Sequence, residues 1–165
     1  MPPFWYNETV KRQSLFMSDI FKLHGNASIS IDESASLKQV IGVYAADPGI
    51  RGVFLIDSKK RLSSMVSRHA IQKWAQYQLF GKWHDSPCSE FTHIVDNVPA
   101  KQVAHGTPDK LSLKLGDDLE TAFDKMMMLN EDVLPVVDDD GNIIGDLSLS
   151  EILVKALDAS EETLC

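Results

Sequence analysis

The sequence predicts an α/β protein built from two copies of one strand, helix, strand, strand, helix unit. Three observations carry this. The stretch LPVVDDDGNIIGDLSLSEI, residues 134–152, has the order apolar run, polar turn, second apolar run and helix start. A segment of helical periodicity lies just ahead of it. Laying Asp57 on Asp138, an offset of 81, then aligns the first half of the chain with the second for fifteen residues without a gap.

Taken in chain order, the first copy starts at ISIDESAS, where Ile29 and Ile31 alternate as in a strand. Leu37, Val40, Ile41 and Tyr44 then recur on one helical face. VFLID is the next strand, SKKR the turn, LSSMVS the return strand, and Ile71 opens the closing helix. In the second copy, the segment with Leu113 and Leu115 takes the place of the first strand. Asp117 is the expected cap of the following helix, with Glu120 three residues on and Leu119, Ala122, Phe123 and Met126 on its apolar face. DVLPVV is a strand, DDDGN supplies turn chemistry with Gly141 free to take positive φ, and IIGDL returns. Ser148 with Glu151 forms a capping box, after which Ile152, Leu153, Ala156 and Leu157 share one face. VFLID falls on LPVVD, LSSMVS on IIGDLS with Ser67 on Ser148, and Ile71 on Ile152. Leu37 falls on Leu119 at an offset of 82, so one residue was gained between helix and strand.

Composition sets the outer bounds. The chain has 165 residues, 44% hydrophobic and 24% charged, enough for one core or two small ones sharing an interface. Its start lacks the basic-then-apolar order of a secretory leader, and no run is long enough to span a membrane, so a cytoplasmic location is expected. Cys88 and Cys165 show no framework spacing. The net charge of −8 argues against nucleic-acid binding, which needs a basic face. Charge is also uneven: residues 108–165 carry 15 acidic and 4 basic side chains, and residues 1–107 carry 9 and 12. A bound anion would find its positive partners mainly in the first half.

The two units resemble the tandem CBS-domain pair, the Bateman module. The residues that carry the resemblance are LETAFDKMM and VLPVVDDDGNIIGDLSLSEIL in the second copy, and SLKQVIGVY and GVFLIDSKKRLSSMVSRHAI in the first. The first copy departs from the pattern: Leu55 replaces the first valine of its strand, Phe54 the proline, Ser64 the glycine, and Ala70 stands where the terminal Asp is expected. The resemblance covers roughly residues 18–160. It implies two CBS repeats of the form β-α-β-β-α, packed by pseudo-two-fold symmetry so that clefts open between them. On this basis residues 1–17 are an N-terminal arm, 18–80 the first repeat, 81–108 an extended connection, 109–160 the second repeat and 161–165 a tail.

In relatives such clefts hold AMP, ADP, ATP or S-adenosylmethionine. A site of that kind needs an apolar slot for the base, acceptors for the ribose hydroxyls, and positive charge or helix N-termini for phosphates. The ribose position maps to Glu151 beside Ser148 in the second copy, and to Ala70 near Ser67 in the first. Glu151 also has a competing role as the partner of its own helix cap. Arg68 and His69 at the expected start of a helix, together with Arg51, are the phosphate candidates. Ile31, with Ile29, Leu113 and Leu115, could line the base slot or pack in the core. Lys59, Lys60 and Arg61 read as a solvated basic turn.

Other patterns are decoys. Asp138, Asp139, Asp140 and Asn142 resemble the start of a calcium loop, but the places requiring glycine and glutamate hold Ile143 and Leu149. Met126, Met127 and Met128 read as helix packing. His84, Cys88 and His93 match no established metal-ligand spacing, and neither Cys88 nor His105 has a recognisable catalytic partner motif. Phe80, Trp83 and Phe91 are too apolar for a free linker and point to packing on the module or to a dimer contact. Phe4, Trp5 and Tyr6 suggest an arm docked on the same or a neighbouring subunit.

The expectation is a standalone regulatory pair, not an enzyme, with no required cofactor. It would bind an adenosine-containing ligand, associate as a homodimer and signal by a change of shape or association to an unidentified effector protein. The alternative is an interaction module whose clefts no longer bind nucleotides.

Overall fold

The structure, a computed structural model, describes residues 28–80 and 87–164. The expected N-terminal arm, Trp83, His84 and Cys165 lie outside these residues, as does the side chain of Cys88. The first unit consists of β1 (Ser28–Asp32), α1 (Leu37–Ala46), β2 (Gly52–Ile56), β3 (Leu62–Ser67) and α2 (Arg68–Phe80). The connection is helical, with α3 (Pro87–Asn97), α4 (Ala100–Val103) and α5 (Pro108–Leu111). The second unit follows as α6 (Leu119–Leu129), β4 (Val133–Val137), β5 (Ile143–Ser148) and α7 (Leu149–Leu164).

The duplication holds to the level of single residues. β1 pairs parallel with β2, and β2 antiparallel with β3. β4 pairs antiparallel with β5 in the same register as β2 with β3, and each pair shifts register at the same step, between Leu55 and Ile56 and between Val136 and Val137. The counterpart of β1 is reduced to Leu113, which bridges Val136 in parallel fashion. Both hairpins turn on an aspartate. One carboxylate oxygen of Asp57 accepts the backbone N–H groups of Lys59 and Arg61, and that of Asp138 those of Asp140 and Asn142. These backbone donors hold both carboxyls below the usual aspartate range. The turns require a left-handed residue, supplied by Gly141 at φ 86° in the second and by Lys60 at φ 65° in the first. Lys60→Gly is therefore expected to stabilise the protein by up to about 1 kcal/mol, strain relief outweighing the greater unfolded-chain freedom of glycine. It would be seen as a higher urea midpoint at unchanged slope.

The two units are related by a pseudo-two-fold axis. Arg61 and Asn142 occupy the same place in their repeats, yet they bridge each other antiparallel, and the Leu62 N–H reaches the Gly141 carbonyl at 3.0 Å. Two equivalent residues meet in this way only across a local two-fold. The central strands β2 and β4 are consequently covered on both faces, which explains their nearly unbroken apolar sequence. Val53, Leu55 and Val66 turn to the helices of their own unit, and Leu134, Val136 and Leu147 do the same in the second. Phe54, Leu62, Met65, Leu111, Val133 and Val137 form a third cluster between the units.

Several expectations need correction. Asp118, not Asp117, caps α6: its carboxylate accepts the Thr121 N–H at 2.8 Å, while Asp117 accepts the Lys114 N–H at 2.9 Å in the preceding turn. The adjacent aspartates are chemically alike, and the need to bury Ala122 and Met126 sets the helix start. On α7, Ile152 is fully buried but Leu153 and Leu157 are 50% and 65% exposed, because the core ends at the first turn of that helix. Ile31 is half-buried and packs on the core of the first unit, away from the inter-repeat cleft described below. Ser64, which stands where the second copy has Gly145, buries a hydroxyl with no partner among the described residues.

The first part of the connection, α3 and α4, belongs to the first unit's packing, whereas Leu111 of α5 enters the cluster between the units. Val95 and Ala100 enter that core, Phe91 meets Trp74 with ring centroids 5.7 Å apart, and Lys38 pairs with Asp96 at 2.7 Å. Phe80, in contrast, is 81% exposed. Among the described residues no helix is long and apolar enough to cross a membrane.

Candidate functional site

The helix termini leave a cleft of about 760 Å³ at one end of the pseudo-two-fold axis. From the first unit come Arg51, immediately before β2, and Arg68 and His69, the first two residues of α2. From the second come Glu131 and Asp132, just before β4, with Leu149 at the start of α7. Phe123, Met126 and Met127 of α6 form its apolar wall. The sequence candidates Arg51, Arg68 and His69 are thus brought together at the N-terminus of α2.

Each guanidinium is already engaged. Arg51 and Asp132 stand at equivalent places in the two repeats, and across the axis they form a half-exposed ion pair. Arg68 donates to the Pro48 carbonyl and lies over the Tyr44 ring, 5.4 Å from its centroid. Tyr44 in turn donates to the Val66 carbonyl at 2.6 Å, and burial raises its phenol pKa so that it stays protonated. A neutral, anchored phenol fixes the surface on which Arg68 rests.

Glu131 is the most enclosed acid of the cleft, its side chain only 7% exposed, and it meets His105 Nε2 at 2.9 Å. The same nitrogen lies 3.3 Å from the Ser67 hydroxyl. Serine, histidine and glutamate in contact suggest a relay, but both contacts fall on one ring nitrogen. An Nε2–H directed at Glu131 cannot also accept the Ser67 proton. Ser67 instead accepts the Ala70 N–H at 3.1 Å and serves as the cap of α2.

Ser148 and Glu151 are placed elsewhere. A carboxylate oxygen of Glu151 accepts both the N–H of Ser148, at 2.7 Å, and its hydroxyl, at 2.9 Å. The Glu151 N–H returns to the Ser148 oxygen at 3.4 Å, completing the capping box. The side chain is folded onto its own helix and does not line the cleft. The acids that do, Glu131 and Asp132, were not singled out from the sequence. One signal was available: at the offset of 81, Asp132 falls on Arg51.

A second cleft, of about 620 Å³, opens at the opposite end of the axis between the two aspartate turns. Its three cations are paired, Lys114 with Asp139 at 3.7 Å among them, while Asp109, Asp138 and Asp140 leave it acidic. Lys101 pairs with Glu33 at 2.7 Å and Arg61 with Asp57 at 2.9 Å. Glu33 is held below the usual carboxylate range, first by Lys101 and then by Ser63. Among the described residues no group of three His, Cys, Asp or Glu is placed to hold a metal ion.

Residues 100–158 match the family model of the CBS domain. The fold is similar to that of a CBS domain-containing protein from Thermotoga maritima, with TM-score 0.70 and 22% identity, covering 87% of this chain and 94% of that one. It is also similar to a CBS domain protein from Pyrobaculum aerophilum complexed with AMP, with TM-score 0.59 and 20% identity over 83% of this chain and 89% of that one. CBSX2 in complex with AMP gives TM-score 0.60 and 19% identity over 88% and 98%. No curated protein matches the sequence.

Proposed function

We propose that the protein is a regulatory module, not a catalyst, that takes an adenosine-containing ligand in the cleft between its repeats; the CBS-domain match of residues 100–158 and the likeness of the described fold to CBS-domain proteins support this reading. The observation that carries the reading is the convergence of Arg51, Arg68 and His69 at the N-terminus of α2, opposite the apolar wall of α6. An anionic group of the ligand would engage the guanidiniums and helix N–H groups, and the base would pack on Phe123 and Met126. AMP in two proteins of the same fold supports that class of ligand. Because the cleft is built from both repeats, occupancy would favour one relative placement of the two and so act through differential affinity. The proposed output is association: Phe80 of α2 and Leu153 and Val154 of α7 leave apolar surface suited to a homodimer and to an effector protein. The proposed setting is the cytoplasm.

Thermal unfolding with AMP, ADP, ATP and S-adenosylmethionine tests the reading. At a concentration one hundred times the dissociation constant, a true ligand should stabilise by about 2.7 kcal/mol, and Arg51→Ala or Arg68→Ala should remove most of that gain. Sedimentation of the same samples should show a nucleotide-dependent change in association. A flat response to all four at millimolar concentration would overturn the proposal.

That outcome would favour a ligand-free interaction module. The observations on its side are the capping role of Glu151, the missing carboxylate at Ala70 and the Arg51–Asp132 pair.

A further inference from the structure

The arginines and carboxylates lining the inter-repeat cleft balance in number. Arg51 and Arg68 supply two guanidiniums, and Glu131 and Asp132 supply two carboxylates. Glu131 is tied to His105, which sets it apart from the cleft's cations. Asp132 is bound directly to Arg51, the residue at its own place in the other repeat. The pseudo-two-fold brings these two positions face to face across the axis. An arginine repeated in both copies would make a cationic pair there; this chain has one of each sign.

We infer that Asp132 is a built-in competitor for the anion position on Arg51, so that the cleft admits a nucleotide of low phosphate charge and discriminates against ATP. The inference rests on the cleft being a nucleotide site, as proposed above. An incoming phosphate displaces the Asp132 carboxylate from the guanidinium, and the displaced carboxylate stays close enough to repel every further phosphate. AMP has to overcome this repulsion once; ATP meets it with more charge. The same exchange is the coupling step, because the Arg51–Asp132 pair joins one repeat to the other and opens when the ligand binds. Both side chains are about half exposed, so the pair can break without unpacking the core.

Calorimetric titration of AMP, ADP and ATP into the wild type, Asp132→Asn, Asp132→Ala and Arg51→Ala tests this. Wild-type affinity is expected not to rise from AMP to ATP. Asp132→Asn and Asp132→Ala should strengthen AMP binding roughly threefold and ATP binding roughly tenfold or more, as removal of one nearby like charge at a partly exposed site allows. The gain should shrink in an Arg51→Ala background, where there is no guanidinium to release. If either Asp132 variant binds all three nucleotides equally well or more weakly than the wild type, Asp132 positions Arg51 for the ligand and the inference is overturned while the nucleotide site stands. If neither the wild type nor any variant binds a nucleotide, both fail together.

Discussion

Phe54→Ala is expected to cost about 3–5 kcal/mol of stability, the largest effect of any single substitution considered for this chain. Phe54 is fully buried and belongs to neither repeat's own core. It projects from β2 into the cluster shared with Met65, Leu111, Val133 and Val137. Removing the ring deletes apolar contact and leaves a cavity at the junction, where two rigid sheets have little freedom to collapse inward. A marginal domain of this size has about 5–15 kcal/mol to lose, so a large share of the total is at stake. Urea unfolding followed by tryptophan fluorescence and by far-ultraviolet dichroism should show a lower midpoint by both probes. Met127→Ala, at a side chain 79% exposed on the cleft wall, should by comparison change stability by no more than about 0.5 kcal/mol. Equal effects at the two sites would mean that the junction is not packed as described.

Gly52→Val should destabilise by about 1–3 kcal/mol through overpacking at the axis. A Cβ at Gly52 would lie 2.7 Å from the end of Met65 and 3.0 Å from Val133 Cγ1. The methionine end can swing aside, but Val133 is a β-branched residue held in a strand and cannot. Val133 is also the residue at Gly52's place in the other repeat. The two-fold thus brings one position into contact with its own copy, and there is room for only one side chain. Val133→Gly in the same chain should therefore recover part of the loss, with a coupling above about 0.5 kcal/mol in a double-mutant cycle. Strict additivity would remove the axis contact from the account.

The elements that could be read from the sequence are those whose cause lies within a few residues. The aspartate turns at Asp57 and Asp138, the left-handed place filled by Gly141, the capping box of Ser148 and Glu151, and the apolar faces of α1 and α6 all follow from local chemistry. The 81-residue offset, itself only a comparison of local patterns, then fixes which residues are equivalent. Errors arose where local signals tie or where burial ends. Asp117 and Asp118 offer the same carboxylate to the start of α6, and the apolar face of α7 continues beyond the core that covers its first turn.

The sequence by itself determined the duplicated unit, its turns and its strand order, because hydrogen-bonding geometry and side-chain period act over short stretches of chain. Only the tertiary structure decided that Arg51 meets Asp132, that Glu131 meets His105, and that Glu151 stays on its own helix. Those outcomes depend on which charges two distant segments carry to the same point of the axis. A carboxylate finds its partner through space, and no local pattern states the distance.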